Sequence, residues 1–324
     1  MRNLRELPKA HLHLHVDGAM RPETLAELAR KYGVEAPMPT SYGSFDAFMA
    51  TITTAAGCLR TEADVRRLIT EIVEDAAQQG VRWIEPSMWP GLLGGRLGPD
   101  ESAVDVVLDA GLRAGDALGV GFGLILAANR DIGSAAACDV ARLAVSRAGR
   151  GVVGLGLDGD ESAAGPELFV EAAGIARVGG VPCIPHAGEL VGAEGVWRTL
   201  ELLEPQRIMH GVRGADDPAL VKRLAADAVP LAVCPTSNAL LTVVSSLAEH
   251  PLPALLAAGV QCSVNADDPL LFGTDIVAEY QLCRDVLGLT DSQLAAVART
   301  SFLSSAAPAG LVRSALAEIE AWLA

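Results

Sequence analysis

Short apolar segments recur along the chain, and each is followed by a stretch in which apolar residues repeat at helical spacing. In one such stretch Val65, Leu68 and Ile72 recur at intervals of three and four residues, which is typical of a helix with one buried face. The predicted strands are 10–16, 81–86, 120–127, 151–157, 181–186, 207–210, 230–234 and 261–265. The predicted helices are 22–32, 61–79, 101–118, 134–148, 166–178, 193–203, 215–227, 252–258 and 272–286, with more helix from 291 to the end. Because eight strands alternate with helices, the pattern predicts parallel pairing and an α/β fold of the (β/α)8 TIM-barrel type.

Two segments extend this simple barrel. The stretch after residue 291 predicts extra C-terminal helices. Between the first helix and residue 60, Phe45, Phe48 and Ile52 recur at helical spacing, which predicts a short helical lid inserted after the first strand. On pattern alone, this helix would either cover the barrel mouth or pack against the outer helices.

The chain shows no sign of division into several domains. No tract rich in Pro, Gly or Ser interrupts it, so residues 1–324 are expected to form a single domain. A doubly wound open sheet is the alternative fold, although no GxGxxG motif follows an early strand.

Composition excludes several classes of protein. Half of the residues are hydrophobic and only 20% are charged, which excludes a disordered chain. A formal net charge of −15 argues against binding to nucleic acid. The most apolar stretch, 120–128, is interrupted by glycine and is too short to span a bilayer.

Cysteine use and the N-terminal sequence point to a cytoplasmic protein. The six cysteines are dispersed and form no CxxC pair, which favours free thiols in a reducing compartment. The first residues lack the apolar core of a signal peptide. We therefore expect a cytoplasmic protein with no membrane partner, and its state as a monomer or homo-oligomer stays open.

Three of the six histidines lie within five residues, at His11, His13 and His15. Because side chains alternate along a strand, His13 and His15 point to the same face, about 6–7 Å apart. Two neutral imidazoles in this arrangement suit two neighbouring positions around a divalent metal ion. His11 shares the face but lies deeper, so we expect it to support the ligands or to be a hydrogen-bonded core residue.

Further candidate site residues lie at or just after the ends of the predicted strands four, five, six and eight. They are Gly159, Asp160, Glu161, His186, Glu189, His210, Asp267 and Asp268. In a barrel, the C-terminal strand ends lie at one face, so these residues are expected to converge with the first two imidazoles. Three histidines and Asp267 would hold a metal such as zinc, leaving a histidine and two carboxylates for proton transfer. Taken singly, each has an ordinary alternative, such as a helix cap or a hydrogen-bonded core histidine, and His250 is expected to be structural.

The ordered motifs resemble those of the adenosine deaminase family in the amidohydrolase superfamily. The resemblance rests on Pro8-Lys9-Ala10 through Asp17-Gly18, Val152 through Glu161, His186-Ala187-Gly188-Glu189, His210-Gly211, Cys234 through Asn238, and Ser263 through Pro269. It extends from residue 8 to about residue 280, and therefore over nearly the whole chain.

The resemblance implies zinc-dependent hydrolytic deamination of adenosine or 2′-deoxyadenosine at C6. One zinc ion per chain would be bound by His13, His15, His186 and Asp267. Glu189 would protonate N1 of the purine. His210 would orient the attacking water and help to deprotonate it.

The same resemblance implies the residues that contact the substrate. Asp268 would hydrogen-bond N7 and the Gly159 amide would meet N3. Asp17 would bind a ribose hydroxyl, since relatives acting on free adenine usually have Glu there. His15 would also touch the substrate, and Phe45 and Phe48 would form an apolar lid over the purine.

Four positions depart from the family pattern: Gly156, Asp158, Met209 and Ser87. We expect these changes, with bulky Trp89, to cluster around the pocket and its mouth and to alter substrate choice. A modified adenine nucleoside or free adenine is therefore the alternative substrate. From another class, the chain could be a non-catalytic binding protein on a deaminase scaffold, although the intact candidate site argues against it.

Overall fold

The computed structural model describes residues 1–37, 42, 44–93 and 95–324. Its strands, numbered β1 to β10 in chain order, are Lys9–His11, Val81–Ile84, Ser87–Met88, Gly121–Phe122, Leu124–Asn129, Val152–Asp158, Cys183–Ala187, Ile208–His210, Leu231–Val233 and Cys262–Val264. Its α-helices are Pro22–Tyr32, Phe45–Ala56, Glu62–Gln78, Asp100–Leu118, Ser134–Ser146, Val170–Val178, Ala193–Leu203, Pro218–Asp227, Pro235–Leu240, Leu252–Ala257, Pro269–Phe272, Ile276–Asp285, Asp291–Leu303 and Ala309–Leu323.

The strands form a closed parallel barrel. Two ladders run in the orders β1-β2-β4 and β3-β5-β6-β7-β8-β9-β10. The backbone after β1 joins their ends, because Leu14 bridges Asp267 and His15 bridges Ser87 in parallel. This closure confirms the predicted (β/α)8 barrel, and it brings the first strand beside the last one.

Two of the eight predicted barrel strands are interrupted. The second is divided into β2 and β3 at Pro86, which has no N–H to donate to a ladder. The third is divided at Gly123, where a Cβ would lie 2.7 Å from the Val153 side chain. These breaks are local and leave the strand order unchanged.

Some helix boundaries differ from the prediction. The predicted helix 272–286 begins later, at Ile276. It follows a short unpredicted helix, Pro269–Phe272, which ends at Gly273 with a left-handed φ of 62°. The short helix Pro235–Leu240 was not predicted from the sequence; it begins with a proline in its first turn. The C-terminal helices are present as Asp291–Leu303 and Ala309–Leu323.

The predicted lid is the helix Phe45–Ala56, begun by Ser44, whose side chain accepts a hydrogen bond from the Ala47 N–H. Phe48 and Ile52 pack with Leu271 and Phe272, which follow the last barrel strand. Phe48 and Phe272 are stacked, with 5.3 Å between ring centroids. The helix therefore lies over the barrel mouth.

Other departures from the family pattern lie inside the barrel. Met209 is 1% exposed and packs with Ile125, Ile184 and Ala232. Gly156 has little room for a side chain, since a Cβ would lie 3.2 Å from Ile125. The expectation that all departures cluster around the pocket is therefore wrong for Met209 and Gly156, which pack the interior.

Among the helices of the described ranges, none combines the length and the apolar character needed to cross a membrane.

A buried ion pair joins the residue after β2 to the residue before β8. Arg207 donates to Glu85 Oε2 at 2.6 Å, and both side chains are almost completely buried. Glu85 Oε1 also accepts from the Trp83 indole at 2.7 Å and from the Ala306 N–H at 2.6 Å. Glu85 therefore has partners on both oxygens, as a buried carboxylate requires.

Replacing Glu85 with Ala should leave Arg207 as an uncompensated buried charge. We expect the free energy of unfolding to fall by about 3–5 kcal/mol, as measured by denaturant titration. Asp139→Ala serves as the control, because its ion pair with Arg142 is largely exposed and such pairs contribute about 0–1 kcal/mol. Equal losses in the two variants would contradict this account of the buried pair.

Candidate active site

The candidate site residues surround one cavity at the C-terminal ends of the barrel strands. Its volume is about 350 Å³, within the range of small-molecule sites. The predicted site residues that line it are His15, Asp17, Phe45, Phe48, Gly159, His186, Glu189, His210, Asp267 and Asp268. His13 lies beside them and is completely buried.

Four potential metal donors converge at the edge of this cavity. His13 Nε2 lies 3.1 Å from His186 Nε2 and 3.2 Å from Asp267 Oδ1. His15 Nε2 lies 3.3 Å from the same Asp267 oxygen. Donors that surround one zinc ion tetrahedrally at 2.0–2.2 Å would be roughly 3.3–3.6 Å apart. The observed separations are close to this, so the donor set fits a divalent metal.

The other nitrogen of each imidazole faces an acceptor. His13 Nδ1 donates to the Ala232 carbonyl at 3.0 Å. His186 Nδ1 lies 3.0 Å from Asp158 Oδ1, out of line for a good hydrogen bond, and His15 Nδ1 lies 3.5 Å from Asp158 Oδ2. With Nδ1 facing an oxygen, each Nε2 lone pair is left for a metal. The three rings are therefore oriented as ligands require.

Asp158 was noted in the sequence as a departure, but its position between two imidazoles was not predicted. The imidazole of His186 lowers the pKa of Asp158 although burial opposes this. Ser87, another departure, donates to Asp158 Oδ2 at 3.4 Å. Ser87 and Asp158, two of the four departures, are therefore in contact with each other beside the candidate ligands His15 and His186.

Asp267 is held in place by the closure of the barrel. Its N–H donates to the His13 carbonyl, and its own carbonyl accepts from the His15 N–H. Its φ of 61° is unusual for a residue with a side chain. Burial opposes ionisation, but the neighbouring His13 and His15 imidazoles hold the pKa of Asp267 well below its usual value. Asp267 is therefore an ionised carboxylate at the centre of the donor set.

A second group of donors overlaps the first. Cys234 Sγ lies in one cluster with donor atoms of His13, His210 and Asp267, which sequence analysis missed. The position of Cys234 at the end of the predicted strand 230–234 was the one feature of the sequence that could have placed it near the site. Burial raises the pKa of the Cys234 thiol well above its usual value, and only the thiolate is a metal ligand. The three-imidazole group with Asp267 is therefore the better donor set.

Glu189 has the properties of a proton donor. Glu161 Oε2 accepts hydrogen bonds of 2.9–3.2 Å from three successive backbone N–H groups that begin at Glu189. Burial, with the charges of Asp267 and Glu161, raises the pKa of Glu189 well above its usual value. The Glu189 carboxyl, 3.5 Å from His210 Nε2, therefore keeps its proton to a higher pH than an ordinary carboxyl does.

Asp268 presents an oxygen with no protein partner in the described part of the chain. Its Oδ1 is buried without a hydrogen bond. A Cβ at position 18 would lie 1.7 Å from this oxygen, so Gly18 is required for the position of Asp268. Burial, with the adjacent Asp267 charge, raises the pKa of Asp268 well above its usual value. The group can therefore donate or accept a hydrogen bond at the cavity wall.

Three further residues support the site without lining the cavity. His11 Nε2 accepts from the Ala266 N–H at 3.1 Å, which confirms that His11 lies behind the ligands. Arg130, which the sequence did not point to, donates to the His186 carbonyl at 2.8 Å. His250 is buried and hydrogen-bonded to Asn238, which in turn contacts His210. His250, expected to be structural, is therefore linked to His210 through Asn238.

The cavity is acidic within and apolar at its mouth. Of its described lining residues, none is Lys or Arg, and the mouth is apolar, formed by Phe45, Phe48, Met49, Ile52, Trp89, Leu92 and Ile132. Lys and Arg are the side chains that usually bind a phosphate group, and the described lining offers neither. The cavity wall therefore has no direct side-chain partner for a phosphate group.

Comparison with known proteins finds relatives along nearly the whole chain. The family model described as adenosine deaminase matches residues 8–322. A Streptomyces virginiae protein named "Putative adenosine/adenine deaminase" is 42% identical, and the alignment covers 99% of this chain and 98% of that protein.

Solved structures share the same fold. An adenine deaminase from Arthrobacter aurescens has a TM-score of 0.91 at 33% identity, covering 98% of this chain and 99% of that one. An amidohydrolase from Burkholderia ambifaria, solved with bound zinc, has a TM-score of 0.87 at 27% identity, covering 99% of this chain and 92% of that one.

The donor geometry predicts how metal content responds to substitution. Asp267→Ala and His13→Ala should each lose bound metal, because each removes a converging ligand, whereas Cys234→Ala should keep it. Elemental analysis of purified protein measures this directly, with about one divalent ion per chain expected in the parent. Full metal content in Asp267→Ala, or loss in Cys234→Ala, would contradict the assignment.

Proposed function

The chain belongs to the adenosine deaminase family, and on this premise we propose that it hydrolyses the 6-amino group of an uncharged adenine derivative. The observation that carries the proposal is the pairing of a four-donor metal set with Glu189, a buried carboxyl of raised pKa in the same cavity. The products would be a 6-oxopurine and ammonia.

Each step can be assigned to a residue of this chain. A divalent metal held by His13, His15, His186 and Asp267 would lower the pKa of a coordinated water towards 7. Glu189 would donate its proton to N1, which makes C6 electrophilic as the water oxygen adds there. The C–N bond then breaks. One proton of the water goes to the departing amino group, which leaves as ammonia, and the other returns to Glu189, so that N1 keeps its proton in the 6-oxopurine.

Three cavity residues would orient the purine. Asp268 offers a buried, unpartnered oxygen and would meet N7. Gly159, with a φ of 92°, lies in the cavity wall, where its amide would meet N3. Phe45 and Phe48 of the lid would cover the ring, and His15 would lie beside it.

The substrate class follows from the lining of the cavity and from the relatives. A described lining without Lys or Arg offers no direct side-chain partner for a phosphate group, which disfavours nucleotides. The names of the relatives, adenosine/adenine deaminase and adenine deaminase, favour a substrate range that includes free adenine over adenosine alone. Asp17, which lines the cavity, supports a substituent with a hydroxyl group at N9 of the purine. We therefore propose a 6-aminopurine base or nucleoside as substrate.

A substrate panel tests this proposal. Adenine, adenosine, 2′-deoxyadenosine, 5′-modified adenosines and AMP are incubated with metal-replete protein, and the absorbance change and ammonia release are followed. We expect at least one uncharged 6-aminopurine to be deaminated, and AMP to be the poorest substrate. Stoichiometric binding without ammonia release would instead support the non-catalytic scaffold.

Glu189→Gln should keep the size of the side chain and the bound metal but lose the proton. Turnover should then fall by about 10²–10⁴-fold. In the parent enzyme, activity should decline as pH rises through the elevated pKa of Glu189, because the acid is then deprotonated. Near-normal turnover in Glu189→Gln would show that another group protonates N1.

Asp17→Ala tests recognition of the sugar. If Asp17 accepts a hydrogen bond from a ribose hydroxyl, kcat/KM for adenosine should fall by about 10- to 150-fold, corresponding to about 1.5–3 kcal/mol. The value for adenine should barely change. Asp131→Ala, another carboxylate of the cavity lining, is the matched control and should leave the ratio unchanged. A ratio that survives Asp17→Ala would rule out this contact.

A further inference from the structure

A series of buried hydrogen bonds, here called the relay, leads from the Leu252 N–H through His250 and Asn238 to His210. The Leu252 N–H donates to His250 Nδ1 at 3.1 Å. His250 Nε2 lies 3.1 Å from Asn238 Oδ1, and Asn238 Nδ2 lies 3.1 Å from His210 Nδ1. The opposite nitrogen of His210, Nε2, faces Glu189 and Asp267 in the cavity.

The Leu252 N–H determines which atom donates and which accepts in every hydrogen bond of the relay. A backbone N–H can only donate, so His250 Nδ1 must accept, and the ring proton of neutral His250 is on Nε2. Nε2–H therefore donates to Asn238 Oδ1, which turns the amide nitrogen of Asn238 towards His210. Because that amide nitrogen can only donate, His210 Nδ1 must accept.

Burial protects this arrangement from exchange with water. His250 is 3% exposed, Asn238 is 0% exposed and His210 is 1% exposed. Burial also lowers the pKa of His250 to about 4, so this ring is neutral near pH 7. A reversed Asn238 amide would place two N–H groups against each other, so the order of donors is fixed.

We propose that Asn238 and His250 are positioning residues that hold the ring proton of His210 on Nε2, so that His210 is a hydrogen-bond donor to the attacking oxygen. This inference rests on the proposed function for the identity of that oxygen. It assigns the orienting role to His210 and removes the role of proton acceptor. An Nε2 that carries a proton has no lone pair for a metal, so His210 is also excluded as a ligand.

The tautomer is measured directly in the metal-loaded enzyme by ¹⁵N NMR of histidine-labelled protein. The His210 signals are assigned by their loss in His210→Gln, at about pH 8, where ordinary imidazoles are neutral. We expect an unprotonated Nδ1 and a protonated Nε2. A protonated Nδ1 would overturn the proposal, whether or not the protein deaminates purines.

A substitution of Asn238 tests control by the relay. In Asn238→Asp, the carboxylate can only accept, so His210 Nδ1 should become protonated. An Nδ1 that stays unprotonated in this variant would show that the relay does not set the proton position.

Kinetics test whether the relay matters for turnover. His250→Leu removes the donor to Asn238, and kcat should fall on the order of 3- to 10-fold, as expected for one lost hydrogen bond, with KM unchanged. His250→Gln keeps an N–H donor and should recover most of kcat. Ser237→Ala is the matched control, because this buried hydroxyl lies beside Asn238 but outside the relay.

The outcomes separate this inference from the proposed function. A loss in His250→Leu that His250→Gln restores supports the relay. Equal losses in His250→Leu, His250→Gln and Ser237→Ala would indicate general packing and contradict it. If no purine is deaminated, the proposed function fails, while the NMR result still decides the tautomer.

Discussion

The site depends on an ionised carboxylate buried among imidazoles at the point where the barrel closes. Asp267 is 3% exposed and lies within 3.3 Å of nitrogens of His13 and His15. A buried carboxylate without compensation would cost several kcal/mol, so this part of the fold requires a cation. A divalent metal would supply it, and the backbone bonds between the first and last strands keep the donors together.

The carboxyl groups of the cavity differ in the direction of their pKa shifts, and the Asp267 charge contributes to this difference. Asp267, surrounded by imidazoles, has a pKa well below its usual value. Glu189 and Asp268, buried beside the Asp267 charge, have pKa values well above theirs. Asp267 can therefore bind a metal as a carboxylate, while Glu189 and Asp268 keep a proton to higher pH. This combination suits hydrolysis that uses a metal and a proton donor together.

Most of the architecture could be predicted because it depends on local periodicity. Alternation along a strand placed His13 and His15 on one face, and the barrel rule brought His186, His210 and Asp267 to the same end. Supporting contacts such as Asp158 with His186, or His250 with Asn238, depend on side-chain packing between distant segments, which periodicity does not encode. The sequence pattern allows two positions for the lid, and the contact between Phe48 and Phe272, which distinguishes them, joins residues far apart in the chain.

The metal-binding set is tested most directly by anomalous diffraction from zinc-loaded crystals. We predict one peak per chain, about 2.0–2.2 Å from Nε2 of His13, His15 and His186 and from Asp267. His210 Nε2 should lie outside this coordination sphere. A peak bonded to His210 or to Cys234 would contradict the account.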